Sequence, residues 1–299
     1  MVQFEVKKVK VLGVDLGGTN IKIGVLDELQ PGNIERVYLY PTQEPIYECL
    51  EKAIDEVMSL HPDIKAIGIG TPGFVDRKKG SVKFASENLP GWSGTEVKQK
   101  LESRFHISVI VENDANVAAL AEVIFGAAKG YNNALMLTLG TGVGGGVIID
   151  GKILYGPNGA VGEFGHMTLY PEGHSCKCGR KGCQEQYVSG HSLARRIREA
   201  NMDMTPEELM QSKEHNDTAA AIVNEFTYDL ALSITSLQAA FDMEILVIGG
   251  GVSHSANYWF EDLNKNLKNL LFHPLRVEVA KLKNDAGIIG AAQLIFMEG

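Results

Sequence analysis

Cysteine is scarce in this chain: four among 299 residues. No run approaches the about 18 uninterrupted apolar residues of a membrane span. The first residues, "MVQFEVKKVKVLGVDLGG", carry lysines but lack the apolar segment and small-residue cleavage site of a secretory signal. Neither a membrane anchor nor export is expected, and the cytoplasm is the expected location. Basic residues are outnumbered, 28 Lys and Arg against 37 Asp and Glu, and the formal charge of −9 argues against nucleic acid as the main partner. Long charge runs and low-complexity tracts are missing as well. With 44 % hydrophobic residues, that excludes a disordered chain and leaves enough apolar material for real cores. The length suggests two domains. In a reducing compartment, thiols serve more often as metal ligands or reactive groups than as disulfides.

Three of the four cysteines nevertheless lie within eight positions, in "HSCKCGRKGCQEQ" (174–186). Cys176-x-Cys178-x4-Cys183 offers three soft ligands, and a tetrahedral zinc site requires a fourth. His166 and His174 are both candidates. Such a closed set leaves no place for a substrate water, which points to a structural zinc. Cys49 stands alone on an amphipathic segment (46–60) and reads as core.

Glycine is abundant and clustered, in "LGVDLGGTNIKIGVLD" (12–27), "LTLGTGVGGGVIIDGK" (137–152) and "ILVIGGGVS" (245–253). Each cluster follows an apolar run that reads as a buried strand. In the first two, a second strand follows the glycines, so strand, glycine turn and strand occur twice, more than a hundred residues apart. This suggests two related lobes, each presenting a glycine hairpin. Glycine lets successive N–H groups approach an anion, as in a phosphate nest. Gly140, Gly142 and Gly145 also match G-x-G-x-x-G, but a strand-like stretch follows where a dinucleotide fingerprint needs a helix. Gly146 to Lys152 imitates a P-loop, yet Ile153 stands where Ser or Thr is required. Two hairpins that hold phosphates from opposite lobes describe an actin-like ATPase fold.

Helical periodicity runs over 46–60, 115–125 and 217–240, alternating with strands, so the class is α/β. We place the lobe boundary near 117. The apolar last helix, 286–297, returns to the first lobe, giving 1–117 plus 286–299 and 118–285. The stretch 155–190 lacks periodicity, which suggests function or a local staple. In "VIVENDANVAAL" (109–120) a strand ends at Glu112 and a helix starts near Ala115. Asn113 or Asp114 is suited to cap that helix. A carboxylate at this place is also where a kinase acting on an alcohol would keep its general base.

"DLGGTNIKIGVLD", "ENDAN", "GTGVGGGV", "GEFGH" with "CKCGRKGC", and "IGGGVS" together resemble the ROK family of bacterial sugar kinases and repressors, over about residues 12 to 292. The resemblance implies an actin-like ATPase fold (ribonuclease H-like, two lobes with a cleft) and ATP- and Mg2+-dependent phosphorylation of a hexose. It implies zinc on His166, Cys176, Cys178 and Cys183, with His166 serving metal and sugar through its two ring nitrogens. Glu163, His166 and Glu185 match the family's sugar ligands. Asn113 matches a sugar-binding Asn, and Asp114 the catalytic Asp, itself a sugar ligand. Gly73 and Asn88 resemble further sugar-pocket positions. Asp15 resembles the carboxylate that holds the magnesium water shell. Gly17, Gly18, Thr19, Thr141 and Gly142 would face the ATP phosphates, and Gly249, Gly250 and Gly251 the adenosine. "CQEQYVSG" resembles the bacterial glucokinases, so glucose is the expected hexose, with N-acetylglucosamine, N-acetylmannosamine or fructose as alternatives. A homodimer or higher homo-oligomer is expected. A sugar-sensing repressor would need an N-terminal helix-turn-helix, for which a phosphate motif at residue 12 leaves no room. A non-catalytic ATP-dependent switch would not need the carboxylates and thiols of the sugar loop.

Overall fold

A computed structural model describes residues 9–85 and 89–298 of the chain. The elements run β1 (Lys10–Leu16), β2 (Asn20–Asp27), β3 (Ile34–Pro41), α1 (Ile46–Leu60), β4 (Ile64–Thr71), β5 (Phe74–Asp76), β6 (Ser81–Phe84), α2 (Val97–Phe105), β7 (Ser108–Asn113) and α3 (Asp114–Ile124). Then follow β8 (Ala134–Leu139), β9 (Val143–Ile149), β10 (Lys152–Ile153), α4 (Glu185–Val188), α5 (Gly190–Glu199), α6 (Pro206–Ser212), α7 (Asp217–Phe241), β11 (Ile245–Gly249), α8 (Ala256–Leu270), β12 (Arg276–Val279) and α9 (Ala286–Glu298). The chain divides into two compact units. One comprises residues 1–125, 153–161 and 284–299, the other 126–152 and 162–283.

The first unit is built on a sheet ordered β3-β2-β1-β4-β7. β1 pairs antiparallel with β2 and parallel with β4, and β4 runs parallel to β7. Central β1 and β4 are buried along most of their length, as strands covered on both faces must be. Edge strand β3 exposes Val37 and Leu39. α1 buries Ile46, Leu50, Ala53, Ile54 and Val57, the spacing of one helical face. Burying each of the Ile, Leu and Val side chains contributes roughly 1.5–3 kcal/mol. α9 lies against β1, β4 and α3 at backbone distance. A Cβ on Gly13 would meet the Ile288 carbonyl, one on Gly68 the Ala291 carbonyl, and one on Gly290 the Val117 carbonyl. Glycine at these positions is what lets helix and sheet close without a void.

The second unit repeats the scheme: its sheet is ordered β10-β9-β8-β11-β12. β8 pairs antiparallel with β9 and parallel with β11, and β11 runs parallel to β12. The strand, glycine turn, strand pattern seen twice in the sequence thus forms the two central hairpins of two sheets with one topology. Long α7 and α8 pack on each other, with Phe226 edge-on to Trp259.

The units differ from the division drawn from the sequence. Position 117 falls inside α3, whose buried Val117, Leu120 and Ala121 belong whole to the first unit. Residues 153–161 also return to that unit, where Gly159 lies against the Val75 backbone. Among the described residues no helix is long and apolar enough to cross a membrane.

Candidate functional site

In the first unit, β7 hands over to α3 at Asn113. Its backbone is extended, and its side-chain oxygen accepts the N–H groups of Ala115 at 2.9 Å and Asn116 at 3.2 Å. Asn113 is therefore the helix cap. Its amide nitrogen donates to the Gly73 carbonyl at 3.1 Å, which ties the β4–β5 turn to the start of α3. Asp114 is the first residue of the helix, half-buried, with Oδ1 accepting the Ala115 N–H at 2.9 Å. Gly73, Asn113 and Asp114 are thus brought together. Asn88 lies outside the described residues.

At the first hairpin, the Gly17 N–H donates to the Asn20 carbonyl at 2.9 Å. The Thr42 hydroxyl closes onto the Gly17 carbonyl at 2.7 Å. Gly18 and Thr19 are exposed at the tip. Asp15 sits one turn-length before, at the end of β1. Burial raises its pKa above the usual carboxylate range, and Lys22, 3.5 Å away, works in the opposite direction. A half-buried carboxylate beside exposed backbone N–H groups suits a cation between carboxylate and phosphate.

In the second unit, Glu185 opens α4, and its Oε2 accepts the Val143 N–H at 3.2 Å. That carboxylate lies where a Cβ on Gly142 would be, so Gly142 is the residue that admits it. Thr141 is exposed at the hairpin tip. Gly249 ends β11, and Gly250 and Gly251 lead into a short 3-10 helix (Gly251–Ser255).

Glu163 and His166 flank another 3-10 turn (Phe164–His166), with His166 Nε2 3.9 Å from Glu163 Oε2. Burial raises the Glu163 pKa, opposed by His166 and reinforced by the negative charge of Glu185. Two carboxylates and an imidazole therefore share one corner of this unit.

The other face of His166 meets the thiols. Nδ1 is 3.8 Å from Cys176 Sγ, and Cys178 Sγ is 3.5 Å from Cys183 Sγ. The ligand atoms of His166, Cys176, Cys178 and Cys183 all lie within 4.8 Å of one another. A tetrahedral site with bonds of about 2.3 Å has edges near these separations. The donor set is closed and soft, and Arg180 adjoins it, donating to the His166 carbonyl at 2.9 Å. Burial opposes ionisation of Cys178, but hydrogen bonds from Arg180 and the adjacent thiols bring it down to about 6. Burial and the other two sulfurs push Cys183 up to about 12. These four residues fit a zinc ion. His174, the rival of His166 in the sequence, is outside the cluster, with its ring 5.4 Å from that of Tyr187.

The loop is fastened to the unit's helices by residues the sequence did not single out. Tyr170 donates to Asp229 at 2.6 Å, and Arg196 pairs with the other Asp229 oxygen at 2.5 Å. Arg196 also donates to the Tyr187 carbonyl, and Tyr187 accepts the His174 N–H at 2.9 Å. Both ends of the Arg196–Asp229 pair are only 8 % exposed. Removing one member of a buried pair costs about 3–5 kcal/mol when the other charge is left alone, but Arg196 keeps a second, exposed partner in Glu225 at 3.3 Å. Asp229→Asn should therefore lower unfolding stability by less, about 2–3 kcal/mol, in denaturant titrations. A loss below about 1 kcal/mol would show that the pair is not the anchor.

Comparison with known proteins gives this arrangement its context. The ROK family model matches residues 11–298. The glucokinase of Streptomyces coelicolor is 36 % identical, covering 95 % of this chain and 96 % of its own. The N-acetylmannosamine kinase of Vibrio cholerae is 32 % identical, covering 95 % of this chain and 98 % of its own. Among solved structures, a ROK family glucokinase from Streptomyces griseus in complex with glucose and AMPPNP superposes with a TM-score of 0.82 at 33 % identity, covering 95 % of this chain and 98 % of that one. With a family model spanning nearly all of its length, and with two sheets of one topology, the chain belongs to the ROK family and has the actin-like ATPase fold.

Proposed function

We propose that this ROK-family sugar kinase transfers the γ-phosphoryl group of ATP to the 6-hydroxyl of a hexose, glucose above others, in the cytoplasm. The observation that carries the reading is Glu185. Its carboxylate rests on the Gly142–Val143 backbone of a phosphate-type hairpin, while its electrostatic neighbour Glu163 stands beside His166. On this reading, hydroxyl-binding acceptors stand next to a phosphate cradle within a single unit. Asp114 removes the proton of the 6-hydroxyl as that oxygen bonds to the γ-phosphorus. The bond from phosphorus to the bridging oxygen breaks, and ADP leaves with the electron pair. Asn113 and Gly73 position the sugar, as would Asn88. Glu163 and Glu185 accept hydrogen bonds from its other hydroxyls, and His166, with Nδ1 turned to the thiols, donates its Nε2–H to one of them. The hairpin residues Gly17, Gly18, Thr19, Thr141 and Gly142 receive the phosphates, and Gly249 to Gly251 the adenosine. Magnesium, when bound, neutralises phosphate charge, and Asp15 would hold its water shell. Zinc on His166, Cys176, Cys178 and Cys183 would fix the sugar loop.

A coupled ADP-release assay across glucose, mannose, fructose, N-acetylglucosamine and N-acetylmannosamine tests the reading. The highest kcat/KM is expected for glucose. The similarity to an N-acetylmannosamine kinase makes that sugar the second reading, favoured if it outruns glucose. Absence of sugar-dependent ADP release would overturn both.

Glu185→Gln makes a sharper test. The amide oxygen can still accept the Val143 N–H, so nucleotide affinity should hold, whereas a charge-assisted bond to a sugar hydroxyl is lost. Such bonds contribute about 1.5–3 kcal/mol, so sugar affinity should weaken tenfold or more by calorimetry. A collapse of nucleotide affinity with sugar affinity intact would place Glu185 on the wrong ligand.

A further inference from the structure

One buried carboxyl group of the first unit takes no part in the chemistry described above. Glu112, 3 % exposed, is the last residue of β7 before the turn that carries Asn113 and Asp114. Its Oε1 accepts the Asn113 N–H at 2.7 Å and the Asn116 side-chain amide at 2.9 Å. Both lengths are those of charge-assisted bonds. Both donors belong to the turn itself, one at its entry and one on the first turn of α3. Burial raises the Glu112 pKa, while the bonds from Asn116 and Asn113 and the charge of Arg77 favour the carboxylate. Burying this group costs desolvation, which only this arrangement of donors offsets.

The surroundings give the arrangement a purpose. β5 reaches the same turn from both of its ends. Gly73, just before β5, accepts the Asn113 side-chain amide at 3.1 Å, and Arg77, just after it, is the electrostatic partner of Glu112. The Arg77 guanidinium lies 4.3 Å above the ring of Tyr155, on the 153–161 segment that returns to this unit. Asn113 is therefore held at three points: its amide nitrogen by Gly73, its Oδ1 by the N–H groups it caps, and its backbone N–H by Glu112. A peptide group is planar, so fixing the Asn113 N–H fixes the plane from which Asn113 and then Asp114 project.

We propose that Glu112 is a positioning residue for phosphoryl transfer, its Oε1 holding the Asn113 N–H and the Asn116 amide so that Asn113 and Asp114 meet the sugar at a fixed angle. The role rests on the kinase reading, in which Asn113 binds the hexose and Asp114 takes its proton. Glu112 itself touches neither sugar nor phosphate. A displacement of about 1 Å at a reacting group can cost on the order of 10²-fold in rate, so two short bonds at the root of this turn have leverage on turnover. Arg77 acts one step further out, on the orientation of the carboxyl group, and its removal should do less.

Steady-state kinetics on the full chain, with glucose and ATP varied in turn, provide the test. Glu112→Ala should lower kcat about 10- to 100-fold and raise the KM for glucose several-fold. The KM for ATP should stay within about twofold, since the phosphate hairpins are untouched. Glu112→Gln keeps an oxygen for both donors and should recover most of the turnover. Arg77→Met should shift kcat and the glucose KM in the same directions, by less. Lys78→Met removes an exposed charge one residue on and should change neither. Should Glu112→Ala not fold, Glu112→Asp, which draws the carboxylate back by one methylene, decides by the same split. A smaller folded fraction would lower kcat and leave both KM values as they were. That result, or no recovery in Glu112→Gln, would overturn the positioning role. A parent chain that releases no ADP with any sugar would refute the kinase reading and this role with it, whereas an active parent with unaltered variants would refute the role alone.

Discussion

Asp114→Asn should lower kcat by about 10²–10⁴-fold, the usual loss when a general base is removed. The sequence leaves two uses for Asp114, base or helix cap. The structure gives the cap to Asn113, whose oxygen receives the Ala115 and Asn116 N–H groups. Asparagine at 114 retains an oxygen to accept the Ala115 N–H that Asp114 accepts. Stability should therefore change little, within about 1 kcal/mol, as capping substitutions that keep an acceptor do. Sugar binding should persist, because hydroxyl recognition is spread over several residues. The measurement is steady-state kinetics beside thermal unfolding of the same preparation. Turnover near that of the parent would remove Asp114 from the mechanism. A large fall in Tm would return it to a purely structural part.

The second large effect is expected at the cluster of His166, Cys176, Cys178 and Cys183. His166→Ala should yield protein without zinc and without measurable sugar binding, whereas His174→Ala should keep one zinc per chain and most activity. The geometry separates the two histidines: His166 points Nδ1 at Cys176, while His174 packs beside Tyr187. Structural zinc contributes roughly 10–16 kcal/mol in small peptides that have no other core. Here the second unit has a sheet and the packed pair α7 and α8, with Phe226 and Trp259 fully buried. Zinc loss should therefore loosen the stretch from Glu163 to Glu185 and spare the rest. Hydrogen exchange should show the change there, and elemental analysis should show the metal. A zinc-replete His166→Ala protein beside a zinc-free His174→Ala protein would reverse the assignment. Global unfolding on chelation would show that the metal carries the whole unit.

Some of this was written locally in the chain and some was not. Strand, glycine turn and strand can be read at 12–27 and 137–152 because strand period and turn chemistry are short-range properties, and those hairpins form the centres of both sheets. The spacing of Cys176, Cys178 and Cys183 is likewise a local signal, since a turn of this length brings the thiols together, as the Gly179 N–H to Cys176 carbonyl bond at 3.0 Å shows. The fourth ligand was ambiguous. His174 is nearer in sequence, but the backbone from 167 to 184 doubles back, with Gln184 N–H bonded to the Met167 carbonyl at 2.8 Å, and this presents His166 to the thiols instead.

The sequence by itself determined the class of the fold, its repeated glycine hairpins, the helix start at residues 113–115 and the thiol cluster, because each depends on residues a few positions apart. The tertiary structure alone decided which of Asn113 and Asp114 caps the helix, since that depends on the Gly73 carbonyl 40 residues away. It also decided the anchoring of Tyr170 and Arg196 on Asp229, 59 and 33 residues away, and the return of 153–161 to the first unit. Such partners carry no periodic or compositional mark. They meet only when the packing of sheets and helices excludes water and leaves each buried polar group to find the donor or acceptor that the fold has placed beside it.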